Sequence, residues 1–344
     1  MGKILLNPGP TNTGFFTKLS QWFGSDICHR TDKFSEDFDT LKRNLLKRYG
    51  NVDMDIAIMG GSGTVAMESM IASLMSDDCL VIDAGTYGSR AISIATRYLI
   101  KCQYIKSKNI EDLKANNRVQ KVYFVENETS SGEKYSIERM AKIYPNAKFL
   151  IDATSSFGAT DYTGYHDRIL ALSFCSNKCL QSTPGLGVVI WNKNICETHD
   201  RNYYGDITKY GIGKIPFTVP VQSVYALLSA LKRNKNNKNV FNSRRDRLIK
   251  DMSQFGIQCL SKNPSNSIVA FEHPHMSYER LKMFLHERGI VVYSGIGRNE
   301  NSFRVSTMSV KFDNCYKKIR RAFLDSCLHR YGSGHVSRWP FKFN

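Results

Sequence analysis

Phe149-Leu150-Ile151-Asp152-Ala153-Thr154-Ser155-Ser156-Phe157-Gly158 and, after a polar turn, Ile169-Leu170-Ala171-Leu172-Ser173-Phe174-Cys175-Ser176-Asn177-Lys178 decide how this chain is read. Each stretch starts as an apolar run of strand length and breaks into small polar residues, so each is a strand whose carboxyl end opens into a loop. The first delivers an aspartate to that end and the second a lysine. Working outward, residues 56–59, 79–84, 121–126 and 187–191 are further near-continuous apolar runs, separated by amphipathic segments such as 138–143. Strands apolar on both faces belong to a mainly parallel sheet covered by helices on both sides, which makes the class α/β. Open sheets of that kind bind ligands outside the carboxyl ends of their strands, which is where Asp152 and Lys178 fall.

A chain of 344 residues exceeds what one core usually organises, so two domains are expected. Past residue 245 the texture changes to a strand at 266–272, a helix at 277–288 closed by Gly289, and strands at 290–293 and 302–306. That pattern is a smaller α+β domain. The expected division is a large domain at 21–244 and a small one at 245–344 together with 1–20. The opening segment is too short to fold alone and is expected to cross to the small domain or to a partner subunit.

The net charge of +17 suits an anionic ligand without naming it. Much of the excess lies in Lys/Asn-rich stretches such as 232–238 that carry no interleaved aromatics, which reads as a solvated face, and no nucleic-acid partner is expected. Nine scattered cysteines read as free thiols in a reducing compartment. Cys175 and Cys179 have no matching second pair, so no metal site is expected. No run approaches the roughly 18 to 20 apolar residues of a membrane span, and the N-terminus lacks the features of a signal peptide, so the expected location is the cytoplasm with no membrane partner.

Gly60-Gly61-Ser62-Gly63-Thr64 joins the strand at 56–59 to a helix whose expected apolar face is Val65, Met67, Met70, Ile71 and Leu74. Glycines let backbone N–H groups approach an anion, hydroxyls donate further bonds, and the helix N-terminus adds partial positive charge. This is a phosphate cradle, but Gly61, Gly63, Ala66 and Asp83 also fit a dinucleotide site. The loop alone leaves a nicotinamide-dependent oxidoreductase open. A pyridoxal-phosphate site, by contrast, requires a lysine, an acid and an aromatic in set roles. Asp152 can hold a pyridine nitrogen protonated, and Lys178 can supply an amine. Tyr87, in Ala84-Gly85-Thr86-Tyr87-Gly88, offers a ring to stack on the cofactor. Taken singly, each has a plain reading: a turn-capping aspartate, a surface lysine, a loop tyrosine.

In combination the residues resemble class V aminotransferases of pyridoxal-phosphate fold type I, and within them the 2-aminoethylphosphonate–pyruvate transaminases. The resemblance runs through Leu6-Asn7-Pro8-Gly9-Pro10-Thr11, Asp26-Ile27-Cys28-His29-Arg30, Gly61-Ser62-Gly63-Thr64, Glu128-Thr129-Ser130-Ser131-Gly132, Asp152 to Gly158, and Asn177-Lys178-Cys179-Leu180-Gln181. It implies a seven-stranded, mainly parallel sheet in the large domain. It makes Lys178 the Schiff-base lysine, Asp152 the partner of the pyridine nitrogen, and Ser62, Gly63 and Thr64 the phosphate ligands. Tyr87 would stack on the ring and Thr129 would lie near its phenolic oxygen. Thr218, in Ile215-Pro216-Phe217-Thr218, would be lent to the neighbouring subunit of a homodimer, and Arg304 would hold the substrate's acidic group, with Arg30 nearby. The implied reaction passes the amino group of a small amine, 2-aminoethylphosphonate, to the keto acid pyruvate. Alanine–glyoxylate or serine–glyoxylate transaminases are the neighbouring readings. Cysteine desulfurases carry a histidine where Asn177 stands.

Overall fold

The computed structural model describes residues 2–24, 26–234, 237–295 and 299–328. In chain order it opens with strand β1 (Ile4–Leu5) and helices α1 (Phe15–Phe23) and α2 (Asp32–Tyr49). Then come β2 (Asp55–Gly61), α3 (Gly63–Leu74), β3 (Cys79–Asp83), α4 (Thr86–Arg97), β4 (Gln103–Lys106) and β5 (Lys121–Val125). A short hairpin of β6 (Asn127–Glu128) and β7 (Glu133–Lys134) precedes α5 (Ile137–Ile143), β8 (Lys148–Asp152), β9 (Ile169–Cys175) and β10 (Gly185–Trp191). Helices α6 (Val221–Arg233) and α7 (Lys238–Gln254) lead to β11 (Gln258–Cys259), β12 (Ile268–Glu272), α8 (Tyr278–Glu287), β13 (Ile290–Val291), β14 (Tyr293–Ser294), β15 (Ser302–Ser306) and α9 (Tyr316–Leu328).

Seven strands form the main sheet in the order β2-β10-β9-β8-β5-β3-β4, parallel except for β10, which runs against both β2 and β9. The reversal matters for the site. Because Gly185 opposes Gly61 and Gly187 opposes Cys175, the start of β10 lies on the same sheet edge as the ends of β2 and β9. Asp152, paired with Val125, ends β8 on that edge too.

Alternation splits the strands between two cores. Ile56, Ile58, Phe124 and Ile151 pack with Phe34, Phe38 and Leu41 of α2 and with Val224 and Leu227 of α6, whereas Ala57, Met59 and Tyr123 pack with Met67 and Met70 of α3 and Ala91 of α4. Helix α2 shows why its residues are helical: Phe34, Phe38, Leu41 and Leu45 recur at spacings of three and four, Thr31 caps Phe34 N–H at 3.3 Å, and Gly50 ends it at φ 92°.

Three details differ from the sequence reading. Helix α3 is buried on most of its surface rather than along one stripe, and of the expected apolar face Val65 alone is partly exposed. The expected strand 290–293 is two: β13 pairs in parallel with β1, while β14 pairs with β15. Strand β4 gave no apolar signal because its four residues are exposed at the sheet's edge. A second sheet, β11-β12-β15-β14, packs with α8, α9 and the end of α7 around Leu248, Phe271, Leu285, Phe303 and Phe323, and Ile4 and Leu6 join that core. Position 244/245 falls inside α7, and α1 ends against α6, where a Cβ on Gly24 would lie 2.7 Å from Tyr225. No helix among the described residues is long and apolar enough to cross a membrane. The aromatic tail 338–344 and part of the 232–238 run lie outside the described residues.

Candidate active site

Lys178 stands in a turn that its own backbone ties shut. Gln181 N–H donates to the Lys178 carbonyl at 2.9 Å, Ser182 N–H to Ser176 at 3.1 Å, and the Ser176 hydroxyl to the Thr183 carbonyl at 2.7 Å. Gln181 holds the left-handed conformation, φ 58°, that the turn needs. The lysine is half-buried, and its ammonium donates to the carbonyl of Pro8, so the N-terminal segment roofs it. Gly9 holds φ 146°, which side-chain-bearing residues rarely adopt, and a Cβ there would lie 2.9 Å from Lys178 Cε. No carboxylate among the described residues forms an ion pair with it.

Asp152 is 1% exposed, and its carboxylate accepts the Thr154 N–H at 2.9 Å. Burial pushes its pKa up to about 6; the Glu128 carboxylate adds to the rise, while the Thr154 bonds and the Lys178 charge oppose it. The same lysine and aspartate both act on the Cys175 thiol, raised by burial, so the two groups flank the end of β9. The glycine loop closes onto this edge. A Cβ on Gly63 would meet Thr154 at 3.0 Å and Cys175 Sγ at 3.5 Å, and one on Gly187 would lie 2.8 Å from the Ser62 carbonyl. Ser62 caps α3 by accepting Thr64 N–H at 3.3 Å.

Tyr87 opens α4, and a buried acid fixes it. Glu128 Oε2 accepts from Tyr87 N–H at 3.2 Å and Gly88 N–H at 3.4 Å, while Oε1 accepts from Ser130 N–H at 3.0 Å and from the Ser130 hydroxyl. Burial raises the Glu128 pKa and these bonds oppose it. One residue on, the Thr129 hydroxyl is buried and finds no partner among the described residues, while the Thr129 carbonyl accepts Arg304 Nη1 at 2.6 Å. Arg304 is 9% exposed, donates Nε to the Ser294 carbonyl at 2.6 Å, and has no carboxylate within ion-pair distance among the described residues. Burial lowers its pKa, and Tyr87, Tyr293 and Glu128 pull the other way.

Two expected residues sit apart. Arg30 is exposed and spends Nη1 on the Ile215 carbonyl at 2.9 Å, and Thr218 is exposed three residues further on. Their loop is packed by Phe217 against Tyr204 at 5.0 Å, whose hydroxyl accepts Gly60 N–H at 3.0 Å. Sequence reasoning gave no role to Glu128 or Arg90. Arg90 Nη1 donates to Thr64 Oγ1 at 3.0 Å, and its guanidinium lies 4.8 Å from the Tyr87 ring centroid. The signal was present: Tyr87 and Arg90 stand at i and i+3 of one helix. Asp83, the acid a dinucleotide reading wants free, is engaged by the Ser89 hydroxyl at 2.8 Å. All nine cysteines are free, and no group of three potential metal ligands occurs among the described residues.

A phosphorylated pyridine ring fits these residues. A glycine-lined cradle stands at one side of the sheet edge and a buried acid in its floor, with an amine and an unpartnered buried hydroxyl within the same rim. No family model matches the chain. A 2-aminoethylphosphonate–pyruvate transaminase of Rhizobium meliloti is 29% identical over 94% of this chain and 92% of its own length. One of Vibrio cholerae is 28% identical over 93% of this chain and 96% of its own. Among solved structures, an aspartate aminotransferase of subgroup IV from Thermus thermophilus superposes with a TM-score of 0.84 at 22% identity, covering 93% of this chain and 99% of that one. Along more than nine-tenths of its length the chain is similar to 2-aminoethylphosphonate–pyruvate transaminases, and its fold is that of the pyridoxal-phosphate aminotransferases of fold type I.

Proposed function

We propose that this chain is a pyridoxal-phosphate-dependent transaminase that passes the amino group of 2-aminoethylphosphonate to pyruvate, giving phosphonoacetaldehyde and alanine. One observation supports it above the others: Asp152 ends β8 and Lys178 stands in the turn just after the neighbouring β9, at one sheet edge, while Arg304, hydrogen-bonded to the Thr129 carbonyl, has no carboxylate in ion-pair distance among the described residues. The cofactor supplies an electron-withdrawing ring that makes the carbon next to the amine acidic. The rest is done by the chain. Ser62, Gly63 and Thr64 hold the phosphate at the start of α3, where backbone N–H groups and the helix field favour an anion. Asp152 faces the ring nitrogen as its counter-ion. Its pKa, pushed up to about 6 by burial, would fall with a cation against it, so it would stay ionised where it is needed.

Tyr87 covers one face of the ring and Thr129 donates its free hydroxyl to the ring's oxygen. Lys178 would hold the cofactor through its amine and, once free, would move a proton between the substrate carbon and the cofactor, whose ring would supply the electron sink. The Pro8 carbonyl, which takes the lysine's hydrogen bond, positions it for that work. Arg304 binds the phosphonate of the donor and the carboxylate of the acceptor in turn, because a planar fork of N–H donors suits both. The enzyme acts as a cytoplasmic homodimer in which Thr218, exposed on its loop, reaches the neighbouring subunit's phosphate, and Arg30 braces that loop through Ile215.

The test is a donor panel with pyruvate as acceptor. Alanine should form with 2-aminoethylphosphonate at a kcat/KM well above that with any amino acid. A chain that uses only amino-acid donors would lose the phosphonate assignment and keep the class.

A further inference from the structure

Arg90 is a cation bound to the phosphate loop without an acid of its own. Its Nη1 donates to Thr64 Oγ1 at 3.0 Å, and its guanidinium stacks 4.8 Å from the centre of the Tyr87 ring. No ion pair joins it to any carboxylate among the described residues. It is half-buried on α4, and its charge reaches the fully buried Tyr123 hydroxyl, which Asp152 and Glu128 also reach. Arg90 therefore belongs to the same interior as the two acids, though it pairs with neither.

The electrostatic demand of the site explains such a residue. A bound phosphate monoester carries about two negative charges near neutral pH. The N-terminus of α3 offers roughly half a positive charge. Asp152 and Glu128, both buried, make the surroundings more negative, and Lys178 is occupied at the far end of the ring. A further cation at the loop is needed, and Arg90 is the one hydrogen-bonded to it. The bond to Thr64 has a second effect. A hydroxyl that accepts from a guanidinium keeps its own hydrogen to donate, so Arg90 turns the Thr64 hydroxyl toward an anion in the cradle.

We propose that Arg90 supplies the positive charge of the phosphate site from within the chain and, through the same guanidinium, sets the tilt of the Tyr87 ring over the cofactor. It is a positioning residue for Thr64 and Tyr87 and a counter-charge for the phosphate. The proposal rests on the pyridoxal-phosphate reading above.

The experiment compares two ligands in the purified full chain, pyridoxal phosphate and pyridoxal, by the change in protein fluorescence on equilibrium titration, in wild type, R90M and R90Q. Wild type should bind the phosphorylated ligand far more tightly. In R90M the dissociation constant for pyridoxal phosphate should rise roughly ten- to a hundredfold, as expected for loss of a charged hydrogen-bonding partner. That for pyridoxal should change by less than about threefold, so the preference between the two ligands shrinks. R90Q keeps a donor for Thr64 but no charge and should lose most of the same preference; it carries the test if R90M does not fold. The bound ligand's visible circular dichroism should also weaken in both variants as the Tyr87 ring loses its brace. An undiminished preference in the folded variant, or equal weakening of both ligands, overturns the role of Arg90. A wild type that binds neither ligand overturns instead the reading on which it rests.

Discussion

At the scale of the residue, function is written as cost. Asp152 is buried, and its raised pKa means the folded chain holds its proton more tightly than the unfolded chain does. Stability from this group is greatest below the ordinary aspartate value near 4 and is lost as pH rises to about 6. In the cofactor-free protein, Asp152→Asn should therefore be more stable than wild type by on the order of 2 to 3 kcal/mol above pH 7, with the difference vanishing below pH 4. Urea midpoints of the two proteins across that range check it, and a difference independent of pH contradicts it. Arg304→Ala should raise the KM for the acidic donor roughly ten- to a hundredfold while leaving pyridoxal-phosphate affinity within about threefold. Steady-state kinetics and a cofactor titration read the two effects separately. Asp152 was legible because it ends an apolar strand, whereas Arg304, in the middle of β15, carries no such mark of position and was reached only through the resemblance. Arg30 was legible as a motif member, but its hydrogen bond to Ile215 depends on a loop 185 residues away that no local pattern announces.

Elements hold the site through their ends. Glu128 lies in the β6–β7 hairpin yet caps α4, so the start of that helix, the Thr129 carbonyl and Arg304 behind it form one hydrogen-bonded unit. Glutamine cannot replace it, since four donors converge on two oxygens and an amide has only one. Glu128→Gln should cost about 1 to 3 kcal/mol of stability and weaken cofactor binding, as buried N–H groups lose acceptors. Chemical denaturation and cofactor titration test both, and an unchanged variant would mean that the cap does not fix Tyr87. The sequence carried strand identities well because β2, β5, β8 and β9 are apolar nearly throughout. It carried β4 and the break between β13 and β14 poorly: an exposed edge strand has no apolar run, and two adjoining pairs with different partners read as one.

For the whole molecule, the loop that bears Thr218 is the telling part. It is pinned from inside by Lys42, 1% exposed, whose ammonium donates to the Gly211 carbonyl at 2.6 Å and the Lys214 carbonyl at 3.0 Å, and by Asp39, which accepts Gly213 N–H at 2.9 Å. A loop clamped so firmly and left exposed at its tip suits a surface that a second copy covers. Sedimentation of the purified chain should give a dimer, and Thr218→Ala should weaken pyridoxal-phosphate binding about threefold to tenfold without dissociating it. A monomer that binds cofactor normally would contradict the shared site. The crossing of the first residues to β13 was expected from their being too few to fold alone. The helix that straddles residue 244 was not, because a continuous helical pattern hides a change of packing partner.

The central claim is that Lys178 and Asp152 address the two ends of one ring. Borohydride reduction of the protein loaded with pyridoxal phosphate, followed by peptide mapping, tests it most directly. The account predicts one cofactor per chain, fixed to the peptide that contains Lys178, and no fixation in Lys178→Ala. Fixation to a different lysine, or to none, would contradict it.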